Sequence, residues 1–415
     1  MYRFMICLTL GFLTSLAMAQ SFPAVSDLPR CTELPDPLRF FNGSPVRTPE
    51  EWQRRRVELK KLFEHYMYGA LPSVAGTIRA EVTHEDKEAF GGSAVLREVA
   101  VTPAEGCPPL YLLLVLPKKT QGPVPVFLGM NFSGNHSLVD DPKVRIPASW
   151  IYPGPGVENH RATEKSRGSR KDVWAIDQTV RRGYAVATFY NGDVDPDEKE
   201  HRNGMRPFLK SQGYSPGTIM AWAWGLMRAV DYLLSVPEID AQRIAIVGHS
   251  RLGKTALVAA AFDDRIALVI PHQSGTGGAA PSRSKNPKAE TVARINTAFP
   301  HWFNDRFKEF NEQVDRLPFD QHALIALLAP RPVLLTNAEE DQWANPDGQF
   351  DMLRAANPVY RLLGVDGLGP EDRPMQNRIV GNKLAYFLRP GPHSMTRDDW
   401  LVFLEFADRH WLSRR

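Results

Sequence analysis

The chain has 415 residues, 43% of them hydrophobic and 23% charged, with a formal net charge of +3 at pH 7. That composition is ordinary for a soluble globular protein, and so small a charge argues against nucleic acid or an anionic membrane as partner. No Lys/Arg block and no RNA-binding aromatic motif occurs either.

Residues 1–19 have the make-up of a cleavable signal peptide. Arg3 supplies the positive end, Phe4 to Leu16 an apolar core, and Ala17-Met-Ala19 the small-x-small pattern before Gln20. The apolar run is short for a membrane span, so the expectation is a secreted or periplasmic protein without a membrane partner. Cys7 falls in this leader. Cys31 and Cys107 remain, free either to pair as a disulfide, as exported proteins allow, or to sit apart as small buried hydrophobes. Neither lies beside a histidine in a metal-ligand pattern, and no metal site is expected.

Residues 20–48 are proline-rich and irregular. A helix is predicted over Pro49–Tyr68, with Thr48 as N-cap, Trp52, Leu59, Leu62, Phe63 and Tyr66 near helical spacing, and Gly69 as its stop. From about Ile78 to Leu116 the pattern is that of strands, and Val124–Leu128 follows a Lys-Lys-Thr-Gln-Gly turn. These are leading antiparallel strands running into a central parallel sheet. The loop Met130–His136 comes next; its His136 is open to a catalytic reading, and a hydrogen-bonded structural residue is the favoured one. Residues 137–172 form a long polar, Pro/Gly-rich insertion expected at the mouth of a site. Trp174–Arg182 is predicted as a helix and Tyr184–Tyr190 as a strand. Asn191–Asp197 lacks the spacing and terminal Glu of a calcium loop and reads as an acidic βα loop.

Ser215-Pro-Gly opens a helix through Trp222, Trp224 and Leu233. Ile244–Val247 is an unbroken apolar run, β-branched at three of four positions, as in a strand buried on both faces. It runs into Gly248-His-Ser-Arg-Leu-Gly253 and an alanine-rich helix. Ile266–Ile270 and Val333–Thr336 are further strands, and Pro346–Ala356 and Asp398–His410 further helices. Strands alternating with helices give an α/β fold with a doubly wound, mostly parallel sheet. Residues 20–415 are read as one catalytic domain.

A serine at a tight strand-to-helix turn has its hydroxyl pushed above the sheet, and the next N–H faces a developing oxyanion. Ser250 is therefore the candidate nucleophile and Arg251 supplies that N–H. The competing reading is a βα turn whose serine caps the helix. The base should arrive late in the chain. His393, in the irregular Arg389-Pro-Gly-Pro-His-Ser-Met395, fits; His322 and His410 look structural. The loop after Val333–Thr336 offers Glu339, Glu340 and Asp341 as the acid, with Asp341 favoured and Glu340 next.

Gly248-His-Ser-Arg-Leu-Gly-Lys254 resembles the G-C/H-S-R-x-G-K signature of the glucuronoyl esterases, carbohydrate esterase family fifteen. Ser274-Gly-Thr-Gly-Gly278, Arg294–Phe303 and the Asn131–His136 stretch resemble the family too. The resemblance implies an α/β-hydrolase fold and a serine esterase. Its expected substrates are esters of the 4-O-methyl-glucuronate of glucuronoxylan with lignin-type alcohols. It implies no cofactor, and the enzyme is read as a monomer. It also implies that the Arg251 guanidinium reaches the oxyanion, that Lys254 donates to sugar hydroxyls, and that Trp343 stacks on a sugar face. Glu290 is grouped with these substrate-binding residues, its exact role open like those of His301 and Trp302. The chain departs from the family at Pro271-His-Gln-Ser-Gly275, where Gln273 stands in place of a common glutamate. Two other readings follow: another carbohydrate esterase, such as an acetyl xylan esterase, or an inactive carbohydrate-binding homologue.

Overall fold

The computed structural model describes residues 22–200 and 203–412, apart from residue 75. The predicted signal peptide, residues 1–19, lies outside them.

Ten strands make one sheet. In chain order the strands are β1 (Arg79–Glu88), β2 (Ala94–Thr102), β3 (Leu110–Pro117), β4 (Val124–Asn131), β5 (Val157–Glu158), β6 (Arg161–Ala162), β7 (Ala185–Tyr190), β8 (Ile239–His249), β9 (Leu268–His272), β10 (Val333–Ala338), β11 (Val380–Gly381) and β12 (Leu384–Arg389). Across the large sheet the order is β1-β2-β3-β7-β4-β8-β9-β10-β12-β11, with β5 and β6 forming a separate hairpin. β1, β2 and β3 pair antiparallel, as expected of the leading strands, and β7 through β12 along the sheet run parallel. The chain lays β7 on one side of β4 and β8 on the other. That reversal is the switch point at which open α/β sheets open a crevice at their carboxyl ends. The arrangement is an α/β-hydrolase fold.

Side chains alternate across the sheet. Leu128, Ile244 and Ile246 pack on one face, under the helices Pro49–Phe63, Thr218–Leu233 and Arg251–Phe262. Phe127, Ala245 and Val247 pack on the other, against Trp174, Trp400 and Phe403. Such double burial explains the continuous apolar strands. Local chemistry sets the helix ends. Thr48 Oγ1 accepts from Glu51 N at 3.2 Å, with Pro49 opening that helix. Thr396 and Asp399 form a capping box at the last helix.

Four expectations change. The helix predicted over Trp174–Arg182 is two short helices, Lys171–Trp174 and Ile176–Arg181, because Ala175 adopts φ 42° between them. The helix from Pro49 is α-helical only to Phe63 and passes into a π-turn over Glu64–Tyr68. Strand β12 was not foreseen: the five-residue apolar run Leu384–Leu388 lacks a periodicity that distinguishes strand from buried helix. Cys31 and Cys107 are both free, the first exposed and the second buried, so no disulfide links them.

The insertion is tied back to the fold. Arg167 Nη1 donates to the Asp141 and Val144 carbonyls at 2.7 and 2.9 Å. Buried His136 meets Ser166 Oγ at 2.7 Å, a structural contact. No helix among the described residues is long and apolar enough to cross a membrane.

Candidate active site

Ser250 sits between β8 and the helix Arg251–Phe262 with φ 57° and ψ −126°, a conformation that strains any residue with a Cβ. Its N–H donates to the His272 carbonyl at 2.9 Å, fastening the turn to the end of β9. A Cβ on Gly248 would overlap the Leu252 carbonyl. One on Gly253 would lie 2.9 Å from the Gly248 carbonyl and 3.0 Å from that of His272. This explains the displaced second glycine. The close approach falls at residue 253, while Leu252 buries its side chain in the core. The Ser250 side chain makes no capping bond to the helix, which removes the reading as a capping serine.

His393 lies on the loop after β12. Its Nδ1 is 2.5 Å from Asp341 Oδ2. Asp341, buried at the end of β10, is the one of the three candidate acids against the imidazole. Glu340 is exposed, and Glu339 accepts instead from Gln376 Nε2. The His393 loop is braced from several sides. Ser394 N donates to Gln273 Oε1 at 2.9 Å, and Arg389 Nη2 to the Ser394 carbonyl at 2.8 Å. His272 Nε2 meets that same carbonyl at 2.8 Å. Gln273 thus uses its amide oxygen on the backbone of the His393 loop rather than on the imidazole. The His249 ring packs against His393 with centroids 4.5 Å apart.

Ser250, Arg251 and His393 line one cavity of about 390 Å³, closed by Phe132 and Ser133 of the β4 loop and by Leu138 and Arg170 of the insertion. Asn131 fixes the β4 loop, accepting from Gly134 N at 2.7 Å and donating to Asn135 at 2.9 Å. The Arg251 guanidinium lies over Phe132 and Tyr152, at 4.6 and 5.0 Å from their centroids. A larger cavity of about 680 Å³, beside His84 and Asp141, is lined by neither Ser250 nor His393.

Lys254, Glu290 and Trp343 are not among the residues lining the Ser250 cavity; they cluster with one another. Lys254 is buried one turn into the helix, and its Nζ donates to the Ser274 carbonyl at 2.5 Å. Burial pulls its ammonium down to about 8, against the pull of Glu290. Burial pushes the Glu290 carboxyl up, opposed by Lys254 and by a hydrogen bond from the Trp343 side chain. Glu290 N donates to the Trp343 carbonyl at 3.1 Å. Trp343 is 48% exposed, so it is a surface ring rather than a core one, with Arg294 5.2 Å from its centroid.

Sequence reasoning left His301 and Trp302 without roles and passed over Asp197. In the structure these three meet: Asp197 Oδ1 accepts from Trp302 Nε1 at 2.7 Å and faces His301 Nε2 at 2.9 Å, while Oδ2 lies 2.5 Å from Arg251 Nε. The one signal for Asp197 was its place in an acidic loop after a parallel strand, where sites gather.

A sequence model of fungal glucuronyl esterases matches residues 171–364. A carbohydrate esterase from an unknown prokaryotic organism is 44% identical over 396 residues, spanning 93% of this chain and 91% of that one. The 4-O-methyl-glucuronoyl methylesterase of Cerrena unicolor is 28% identical, spanning 80% of this chain and 62% of its own. Among solved structures, a promiscuous family 15 carbohydrate esterase from a marine bacterial metagenome superposes with a TM-score of 0.85 at 42% identity, over 93% of this chain and 98% of that one. A glucuronoyl esterase from Solibacter usitatus gives a TM-score of 0.84 at 35% identity, over 93% and 100%.

The contact between Asp341 and His393 generates a comparison. Asp341→Asn is expected to lower kcat on an activated ester by about 10³- to 10⁴-fold, as loss of a triad carboxylate does elsewhere. Glu340→Gln should stay within about twofold, the ordinary effect of a surface change. Steady-state kinetics on the two variants side by side check this, and equal losses would reject Asp341 as the acid.

Proposed function

Because this chain belongs to carbohydrate esterase family 15, and is accordingly a carboxylic-ester hydrolase of the glucuronoyl esterase type, we propose a specific reaction for it. It hydrolyses the ester between the 4-O-methyl-glucuronate of glucuronoxylan and a lignin-type alcohol through an acyl-enzyme on Ser250. The relatives named as 4-O-methyl-glucuronoyl methylesterases, and a solved relative in complex with methyl 4-O-methyl-β-D-glucopyranuronate, support that acid as the acyl group. The observation that carries the mechanism is the 2.5 Å contact of Asp341 with His393 Nδ1, on a ring that shares a cavity with Ser250.

That contact keeps a proton on Nδ1 and leaves Nε2 as the acceptor. His393 takes the Ser250 proton as Oγ attacks the carbonyl carbon, and Asp341 stabilises the imidazolium that forms. Charge on the carbonyl oxygen meets the Arg251 N–H, in the first helical turn where no intrahelical acceptor exists, and the Arg251 guanidinium. The tetrahedral intermediate collapses with the alcohol leaving, protonated by His393. Water, deprotonated by the same ring, then attacks the acyl carbon, freeing the glucuronate and restoring the Ser250 hydroxyl. Lys254, Glu290 and Trp343 hold the uronate ring by charge-assisted hydrogen bonds and stacking.

An inactive binder would follow from a missing acid, but a carboxylate stands against His393. Export through the leader at residues 1–19 belongs to the proposal on its residue pattern alone, and the mature chain would then begin at Gln20. Ser250→Ala should abolish turnover of benzyl glucuronate and labelling by a serine-directed phosphonate. Wild-type enzyme should prefer that ester to acetylated xylan; the reverse preference would make it an acetyl esterase.

The buried ammonium adds a pH signature. Lys254 loses its charge as pH rises through about 8, so the KM for a glucuronate ester should climb above that pH. The climb should reach about 10- to 100-fold, the worth of a hydrogen bond to a charged group, with kcat changed far less. Lys254→Met should begin with the high KM and show no such rise.

A further inference from the structure

We propose that Asp197 is the positioning residue for Arg251, aiming its guanidinium at the developing oxyanion; this rests on the reading that Arg251 stabilises that charge. The Asp197 carboxylate is 4% exposed and its whole environment is built around its two oxygens. Oδ2 lies 2.5 Å from Arg251 Nε, while Oδ1 takes hydrogen-bonding contacts from the Trp302 indole and the His301 ring. Among the described residues, no protein acceptor holds the Arg251 Nη groups. The guanidinium is therefore held in ion-pair contact along its Nε edge, a contact of charge and close approach rather than of an aligned hydrogen bond, and its outer nitrogens are left for the cavity onto which Ser250 opens. Phe132, Tyr152 and Trp302 fix the plane of the group, at 4.6, 5.0 and 5.8 Å from their centroids. A long side chain carries several rotatable bonds, and stacking alone would leave it free to slide. The carboxylate removes that freedom.

The support beneath Asp197 is itself rigid. Two residues earlier, Asp195 is buried against Arg206 Nη2 at 2.5 Å and Thr218 Oγ1 at 2.7 Å, and its carbonyl accepts from Trp222 Nε1 at 2.7 Å. Stability is a poor reason for such a pair. Burying a carboxylate with a guanidinium is about neutral against an apolar replacement, because desolvation offsets the attraction. The carboxylate also subtracts from the positive field at the oxyanion, since it sits on the far side of the arginine. Orientation must outweigh that loss. A donor displaced by about 1 Å costs on the order of 10²-fold in rate, whereas a countercharge beyond the guanidinium only weakens a contact that remains in place.

The experiment is a double-mutant cycle of Asp197→Asn and Arg251→Met, with benzyl glucuronate as substrate and circular dichroism and melting temperature as fold controls. Arg251→Met is expected to lower kcat by about 10²- to 10³-fold, as loss of an oxyanion donor does. Asp197→Asn, isosteric and still able to accept from Trp302, should lower kcat by about 10- to 100-fold with KM within about threefold. In the Arg251→Met background the same change should cost less than about twofold. A full, additive loss from Asp197→Asn in that background would overturn the proposal, as would an unchanged kcat in the single variant. If Arg251→Met alone left kcat intact, the oxyanion reading itself would fall, an outcome distinct from both. Should Asp197→Asn not fold, Asp197→Glu carries the same cycle, with the charge kept and its reach altered. There a kcat loss that vanishes without Arg251 supports the proposal, and an additive one rejects it.

Discussion

One close approach governs this molecule: the backbone of β8 turning into the helix Arg251–Phe262 against the end of β9. Gly248 and Gly253 let three backbone segments come within contact distance, and the Ser250 N–H bonds the His272 carbonyl at 2.9 Å across the gap. The strained φ of Ser250, 57°, costs about 1–3 kcal/mol and persists because Ile244–Gly248 before it and Leu252–Ala261 after it are buried. Ile244 and Ile246 anchor the strand to one layer of the core, and Ala245 and Val247 anchor it to the other. The alanine-rich helix can pack this near the sheet because its side chains are small.

From that corner the remaining groups take their places by way of neighbouring strand ends. β9 delivers Gln273, β10 delivers Asp341 and β12 the loop of His393, and the three are joined by hydrogen bonds rather than by sequence. The carboxylate facing the imidazole comes from the loop after β10. The loop after β9 carries instead an amide, Gln273, that steadies the Ser394 backbone. An amide oxygen at 2.9 Å from Ser394 N adds a brace to the His393 loop without adding charge.

Two charge clusters gather at the helix start, one lining the cavity and one outside its lining, with the Trp302 ring 5.8 Å from Arg251 and 5.9 Å from Lys254. Arg251 is stacked among aromatic rings and paired with Asp197; Lys254 is buried, bonded to the Ser274 carbonyl and attracted by Glu290. Both cations come from the first turn of one helix, so their separation is fixed by helical geometry. Their partners come from the loop after β7 and from the segment ahead of the helix Val292–Ala298. The insertion adds Leu138 and Arg170 to the mouth and Tyr152 over the guanidinium.

The sequence by itself determined what depends on short-range chemistry. The buried β8 run, the glycine-flanked Ser250, the Thr48 and Thr396 helix starts and the leading antiparallel strands are each written in fewer than about a dozen consecutive residues, where periodicity and turn preferences act. It also narrowed the acid to three neighbours. Only the tertiary structure sets one of them against His393, because Glu339, Glu340 and Asp341 have the same local context and differ in which one the β10 end turns inward. Likewise Asp197 reads as one more acid in a polar loop until it meets Arg251, 54 residues later, and His301, 104 residues later. The free state of Cys31 and Cys107, the break at Ala175 and the pairing of β12 were decided in the same way. Each depends on which distant segments come to lie side by side, and a linear pattern does not encode that.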